Sequence, residues 1–191
     1  MSKIDFLKEQ LIEARTFVNR LMSELPEDLW YTIPEGTDSN FIWQAGHLLV
    51  SQNFHTMTAV TGVNERVGRL IPIKEYNRLF NGMGTLHRSI EKDLIPVAAL
   101  KKQLETVHQI CIENLETLHD DVLAEFLEPL PFKHPVAEIK YEALAWSYKH
   151  EMWHSASYQK RFRLSDCVDG IIELYVYIIN RRTHNIDSFF I

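Results

Sequence analysis

Residues 141–162 read YEALAWSYKHEMWHSASYQKRF, and the five at its centre, HEMWH (150–154), decide how the chain is understood. In a helix, residues four apart lie about 40° from each other around the axis, so His150 and His154 project from one face and can grip one metal ion. The helix that carries them is expected to begin near Val136, after Pro129, Pro131 and Pro135 have broken the preceding segment, and to end around Phe162. Two ligands leave a site incomplete, so the fold must supply a third.

Working outward, Phe6, Leu7, Leu11, Ala14, Val18, Leu21, Met22 and Leu25 recur at three and four, which predicts a first amphipathic helix closed by Pro26. The loop WYTIPEGTDSN follows, and Asp38, Ser39 or Asn40 is placed to cap a second helix, FIWQAGHLLVSQNFHTMTAVT, that stops near Gly62. Gly62, Gly68, Gly82 and Gly84, together with Pro72, predict a long connection up to Pro96 with one short helix around Lys74 to Phe80. Leu100, Leu104, Val107, Cys111, Leu115 and Leu118 then mark a third helix over 97–118. With the HEMWH helix this makes four, so the expected fold is all-α, a four-helix bundle over residues 1–163. Residues 164–191 form a C-terminal extension whose β-branched and aromatic density leaves helix or strand open. Such an apolar segment must pack on the bundle or on a second subunit.

Composition narrows the function. With 46% hydrophobic and 24% charged residues in 191, the chain has the profile of one folded domain. A net charge of -6 without a Lys/Arg run argues against nucleic acid as a partner. The opening MSKIDFLKEQLIEAR has no uninterrupted apolar core, which excludes a signal peptide or membrane span at that point. Two cysteines, Cys111 and Cys167, without a CxxC pattern fit a reducing cytoplasm and read as buried small hydrophobes.

A glutamate after the first histidine of such a pair is the general base of zinc peptidases. The longer form of that signature wants Gly at 157 and His at 160, where this chain has Ser157 and Lys160. The shorter form needs a downstream carboxylate, for which Glu173 is the well-spaced candidate, and a flanking sheet that the helical patterning does not provide. Glu151 is therefore read first as an ion-pairing or solvent-facing residue.

The best third ligand is His47 in WQAGHLLVSQ, where Gly46 and Ala45 permit close helix approach and Leu48, Leu49 and Val50 indicate burial. A buried imidazole needs partners for both nitrogens, and a metal on one with an acceptor on the other would satisfy it. At this point the chain resembles the DinB/YfiT-like metalloproteins, four-helix bundles with one histidine early in helix two and an HxxxH pair in the last bundle helix. The pattern falls on His47, in GHLLVSQNFH, and on His150 and His154, in SYKHEMWHSASYQKR, and the resemblance spans about residues 5–162. Many relatives follow the last histidine with Gly-Gln, whereas this chain has Ser155, Ala156 and Ser157. The resemblance implies a three-histidine site for one divalent ion, Zn or Ni by preference, open to water or a thiol. It implies a metal-dependent hydrolase or a thiol-dependent transferase acting on a small molecule. The alternatives are a non-catalytic metal- or ligand-binding stress-response bundle and a dimeric interaction module, and a homodimer is expected under all of them.

Among the remaining residues, His55 is expected at the pocket rim or facing solvent, and His87, His108, His119, His134 and His184 on the surface or in loops. Ser147, Ser157 and Arg161 align with the histidine pair, while Asn40, Gln44 and Ser51 align with His47; these are candidate pocket-lining groups. Trp43, Trp146 and Trp153 are read as packing residues.

Overall fold

Ser2 opens the first helix: its hydroxyl accepts from the Asp5 amide while the Asp5 carboxylate accepts from the Ser2 amide, a reciprocal cap. The structure, a computed structural model, describes residues 1–35, 37–81, 88–92 and 94–162, with side chains up to 157. Helix α1 covers Lys3–Glu24, α2 Phe41–Asn53, α3 Ala59–Thr61, α4 Glu65–Leu70, α5 Ile73–Phe80, α6 Val97–Leu115 and α7 Lys140–Phe162. There is no strand among the described residues, and the chain is an all-α bundle in which α1 packs against α7 and α2 against α6. The expected C-terminal extension, 164–191, lies outside the described residues, as do Glu173, His184 and Cys167.

Four details differ from expectation. Phe6 is 41% exposed, and Ile4 takes its place on the buried stripe of α1. The connection after α2 holds two short helices, because Asn64 caps α4 through bonds to the Arg66 and Val67 amides. Helix α6 ends at Leu115, where Thr117 and Leu118 turn to bond three residues back. Helix α7 starts at Lys140, since a bridge between Phe126 and Ile139 holds the preceding segment extended. The Glu142 carboxylate then accepts from the Glu138 and Ile139 amides at the start of the helix.

A π-helical turn, Phe54–Thr58, joins α2 to α3, and Gly62 ends the run at φ 88°. A turn closed over five residues holds one more than an α turn, so each residue advances the chain by less than 100° around the axis. This rotates everything after Asn53 out of phase with the first half of α2.

The interior falls into two apolar clusters. One gathers the C-terminal half of α1, α2, α5 and most of α6. The other gathers the N-terminal half of α1, α3, the end of α6 and the start of α7. At the seam lies buried Arg15, between Ala14 of one cluster and Val18 of the other.

Gly46 shapes the approach of α5 to α2. The Phe80 ring occupies the space a Cβ at 46 would need. Phe80 is itself fully buried. Gly46→Ala is expected to destabilise the fold by about 1–3 kcal/mol, the usual cost of overpacking, read as a lowered urea midpoint.

Candidate metal centre

His47 comes from the first half of α2, and His150 and His154 from one face of α7; one ring nitrogen from each lies within 4.8 Å of the others. The facing atoms are Nε2: His47 to His150 is 3.3 Å and His154 to His150 is 3.0 Å. Each Nδ1 points away to its own partner. His47 Nδ1 meets the Phe80 carbonyl at 2.8 Å, His154 Nδ1 meets Gln44 Oε1 at 2.6 Å, and His150 Nδ1 meets Ser51 Oγ at 2.8 Å.

Those partners determine where the protons sit. A carbonyl oxygen only accepts, so His47 and His154 each carry their proton on Nδ1 and turn an Nε2 lone pair toward His150. A proton on His150 Nε2 can serve one of them at a time. The cluster therefore gathers more acceptors than donors, the electron distribution of a site for a cation.

Burial keeps the His47 and His150 rings neutral. It pushes the His47 imidazole down to about 4, with Arg88 adding to the shift and the Phe80 carbonyl opposing it. It holds His150 well below the usual histidine range, helped by the proximity of His154, His47 and His55. Neutral imidazole is the form that binds metal.

Aromatic rings surround the triad. Trp43 stacks on His47 with centroids 5.1 Å apart and planes 5° from parallel, and its Nε1 donates to the Leu79 carbonyl at 2.8 Å. Trp146 stacks against His150 at 5.8 Å, and Trp153 stands edge-on to His154 at 5.0 Å. The tryptophans read as packing residues thus also wall the site.

Glu151 is turned to α1. Its Oε1 lies 2.6 Å from Arg15 Nε in a close ion contact away from ideal hydrogen-bond alignment, and its Oε2 accepts from Arg15 Nη2 at 3.3 Å. Both side chains are 2% exposed. Arg15 Nη2 also donates to Gln52 Oε1 at 2.9 Å, and Gln52 Nε2 reaches His108 Nδ1 at 2.8 Å. Burial pushes the Glu151 carboxyl up, and Arg15 pulls against it. With its two oxygens held by Arg15, Glu151 is a structural ion-pair partner and not the base of a peptidase.

The aligned polar residues divide. Gln44 and Ser51 orient the triad, Gln44 being held in turn by Ser39 Oγ at 2.6 Å. Asn40 caps α2 and ties Ile90 and Tyr31 to it. Ser157 bonds the Trp153 carbonyl, and Ser147 is buried without a side-chain partner. The Arg161 side chain and His87 lie outside the described residues.

Three histidines are more enclosed than expected, His55 having been placed at the pocket rim or facing solvent and His108 and His134 on the surface or in loops, and of these His134 does lie in a loop. His55 is buried and bonds His134 between Nδ1 and Nε2 at 2.8 Å. His134 is also buried, and His108 is partly buried in the Arg15 network. His119 is exposed, as expected. The shift of His55 follows from the π turn, which no helical wheel of constant period includes.

The family model of the DinB superfamily matches residues 10–157. The chain belongs to the DinB superfamily. No curated protein matches the sequence. Proteins of this superfamily bind metal, and the three clustered histidines of this member are able to hold one ion. The surface cavity of about 450 Å³ lined by Met1, Phe6, Asp120 and Tyr141 includes none of the triad and is unrelated to it.

Two outcomes are expected. Arg15→Ala, which strands a buried carboxylate, should cost about 3–5 kcal/mol by urea denaturation, whereas Arg15→Met with Glu151→Leu should recover most of that loss. Burial also holds His134 down to about 4 and His108 down to about 3, below the unfolded value. As pH falls from about 6.5 toward 4, the unfolded chain takes up protons first, so stability declines across that window; urea midpoints measured from pH 7 to 4 should show a shallower decline in His108→Gln.

Proposed function

We propose that this DinB superfamily member is a metal-dependent enzyme acting on a small molecule, a hydrolase or a thiol-dependent transferase, with one divalent ion held by His47, His150 and His154. The observation that carries this reading is the convergence of three Nε2 atoms whose Nδ1 atoms are all engaged elsewhere. The donor set fits: three neutral imidazoles, two with their lone pairs fixed inward, suit Zn or Ni. When bound, such an ion supplies Lewis acidity and lowers the pKa of a water or thiol at its open position.

The chain's own residues do the rest. The Phe80 carbonyl, Gln44 and Ser51 orient the three rings, and the first two, which accept from Nδ1, raise the basicity of the nitrogen that faces inward. Trp43, Trp146 and Trp153 limit water around the rings, which strengthens charge interactions inside. A homodimer is part of the proposal, with segment 164–191 as a candidate seam; light scattering of the full chain against a chain ending at 163 tests it.

A second reading is favoured by two observations. The carboxylate of HEMWH is committed to Arg15, and aromatics close around the triad. That arrangement suits a site that holds a ligand without turning it over.

Elemental mass spectrometry of protein purified without a histidine tag tests the metal site. About one equivalent of Zn or Ni that disappears in His150→Ala/His154→Ala is expected. No metal, and no uptake on reconstitution with the fold intact, would overturn both metal readings. Gln44→Ala and Ser51→Ala should weaken metal affinity by about 10- to 100-fold in chelator competition while leaving the stoichiometry unchanged. With metal in place, turnover of thioester, ester or thiol-acceptor substrates favours the enzyme, and its absence beside measurable ligand binding favours the second reading.

A further inference from the structure

A second pair of histidines stands beside the triad and is not needed to build it. His55, on the π-helical turn, has its ring centroid 6.0 Å from that of His150, with the planes at 74°. It is 6% exposed, and its Nδ1 lies 2.8 Å from His134 Nε2.

The direction of that hydrogen bond can be worked out from the backbone. The amides of Val136 and Ala137 both approach His134 Nδ1, at 3.3 and 3.0 Å. An amide N–H only donates, so His134 Nδ1 accepts, and the neutral ring carries its proton on Nε2. His134 Nε2 therefore donates to His55 Nδ1. His55, neutral as well, must then carry its proton on Nε2. Burial keeps both rings neutral, His134 with its pKa pushed down to about 4 and His55 well below the usual range.

The pair is rigidly seated. His134 lies flat on Phe54, with centroids 5.3 Å apart and planes 8° from parallel, and Phe54 stacks on Phe132 at 5.5 Å. The His55 Nε2–H makes no hydrogen bond among the described residues, and it is not one of the fully enclosed unpartnered atoms, so it keeps some contact with solvent. A donor beside the triad that still reaches solvent is open to an acceptor atom of an incoming ligand.

We propose that His55 is a ligand-binding residue of this site, a neutral Nε2–H donor that takes a carbonyl or carboxylate oxygen of the small molecule bound at the triad. His134 acts through it as a positioning residue, setting its tautomer from the backbone of the loop before α7. His55 is not a fourth metal ligand, since one of its nitrogens is occupied by His134 and the other carries the proton. The assignment rests on the metal-centre reading for its location and on the hydrogen-bond chain for its chemistry. It makes the preferred ligands acyl compounds or carboxylates, the groups whose planar oxygen suits one neutral donor beside an ion.

Two measurements on the full chain test it. Ring nitrogen shifts of the metal-free protein should show His55 protonated at Nε2 and bare at Nδ1, and His134→Phe should blur that into a mixture of tautomers. A His55 protonated at Nδ1 overturns the proposal. In the Co(II)-loaded protein, acetate is the probe, followed by the visible absorption of the ion. His55→Phe should weaken acetate binding about tenfold, His55→Gln should restore much of it through its amide donor, and Co(II) affinity by chelator competition should stay within about twofold. Equal acetate affinity in wild type and His55→Phe overturns the proposal, as does a loss of Co(II) affinity in step with acetate. The ring shifts are read without metal, so a chain that takes up no Co(II) overturns the metal centre and leaves the His55 tautomer to be decided independently.

Discussion

The buried pair of Arg15 and Glu151 ties helix α1 to α7 at the seam between two apolar clusters, and the candidate metal centre depends on it. Glu151 follows His150 directly and so projects about 100° from it around the helix. Holding Glu151 against α1 therefore sets the rotation of α7, and with it the direction in which His150 and His154 face. Removing a charge from water is costly, and one partner without the other would be strongly destabilising. Through Gln52 and His108 the same network reaches α2 and α6, so all four long helices of the bundle meet in one polar layer.

The triad shows how a fold can prepare imidazoles to hold an ion without charge of their own. Burial removes from His47 and His150 the proton that pH 7 would leave on a fraction of free histidines, and an acceptor on Nδ1 of His47 and of His154 decides that their Nε2 atoms are bare. The ring partners come from different sources: a main-chain carbonyl in α5, an amide side chain one turn before His47, and a hydroxyl one turn after it. The rings are thus oriented before any ligand arrives, which limits the reorganisation that binding would require.

Much of this was legible in the sequence. The helical spacing located α1 and α6 because each has a buried apolar stripe, while α2, buried on nearly every side, was marked by its cap and by Gly62; the pairing of His47 with HxxxH pointed to the residues that the fold brings together. Gln44 and Ser51 shared the face of His47, so their nearness to the site followed from a helical wheel, although their role as ring partners did not. Arg15 was open to the same reasoning, since it falls four residues after Leu11 on the apolar face of α1, where an unpaired charge would be costly. His55 and His134 were legible only in part: a place at the pocket rim and one in a loop were among the expectations, but their burial and their bond to each other were not. One is displaced by a π turn, which depends on tertiary packing and leaves no period in the sequence. The other sits in a proline-rich loop whose path is set by long-range contacts. Helix ends moved for similar reasons, as with the bridge to Phe126 that delays the start of α7.

The partner of His47 is a main-chain oxygen, and every amino acid has one. No replacement at position 80 removes it, so the side chain there is free to vary as far as the hydrogen bond is concerned. What the bond does require is position, which depends on where the connection between α2 and α6 lays its backbone. Control over the imidazole is therefore held by the path of the whole connection and by the absence of a side chain at Gly46. Insertions or deletions between 62 and 96 would turn the ring of a histidine they never touch, and the length of this segment is as much a determinant of the site as the histidines themselves.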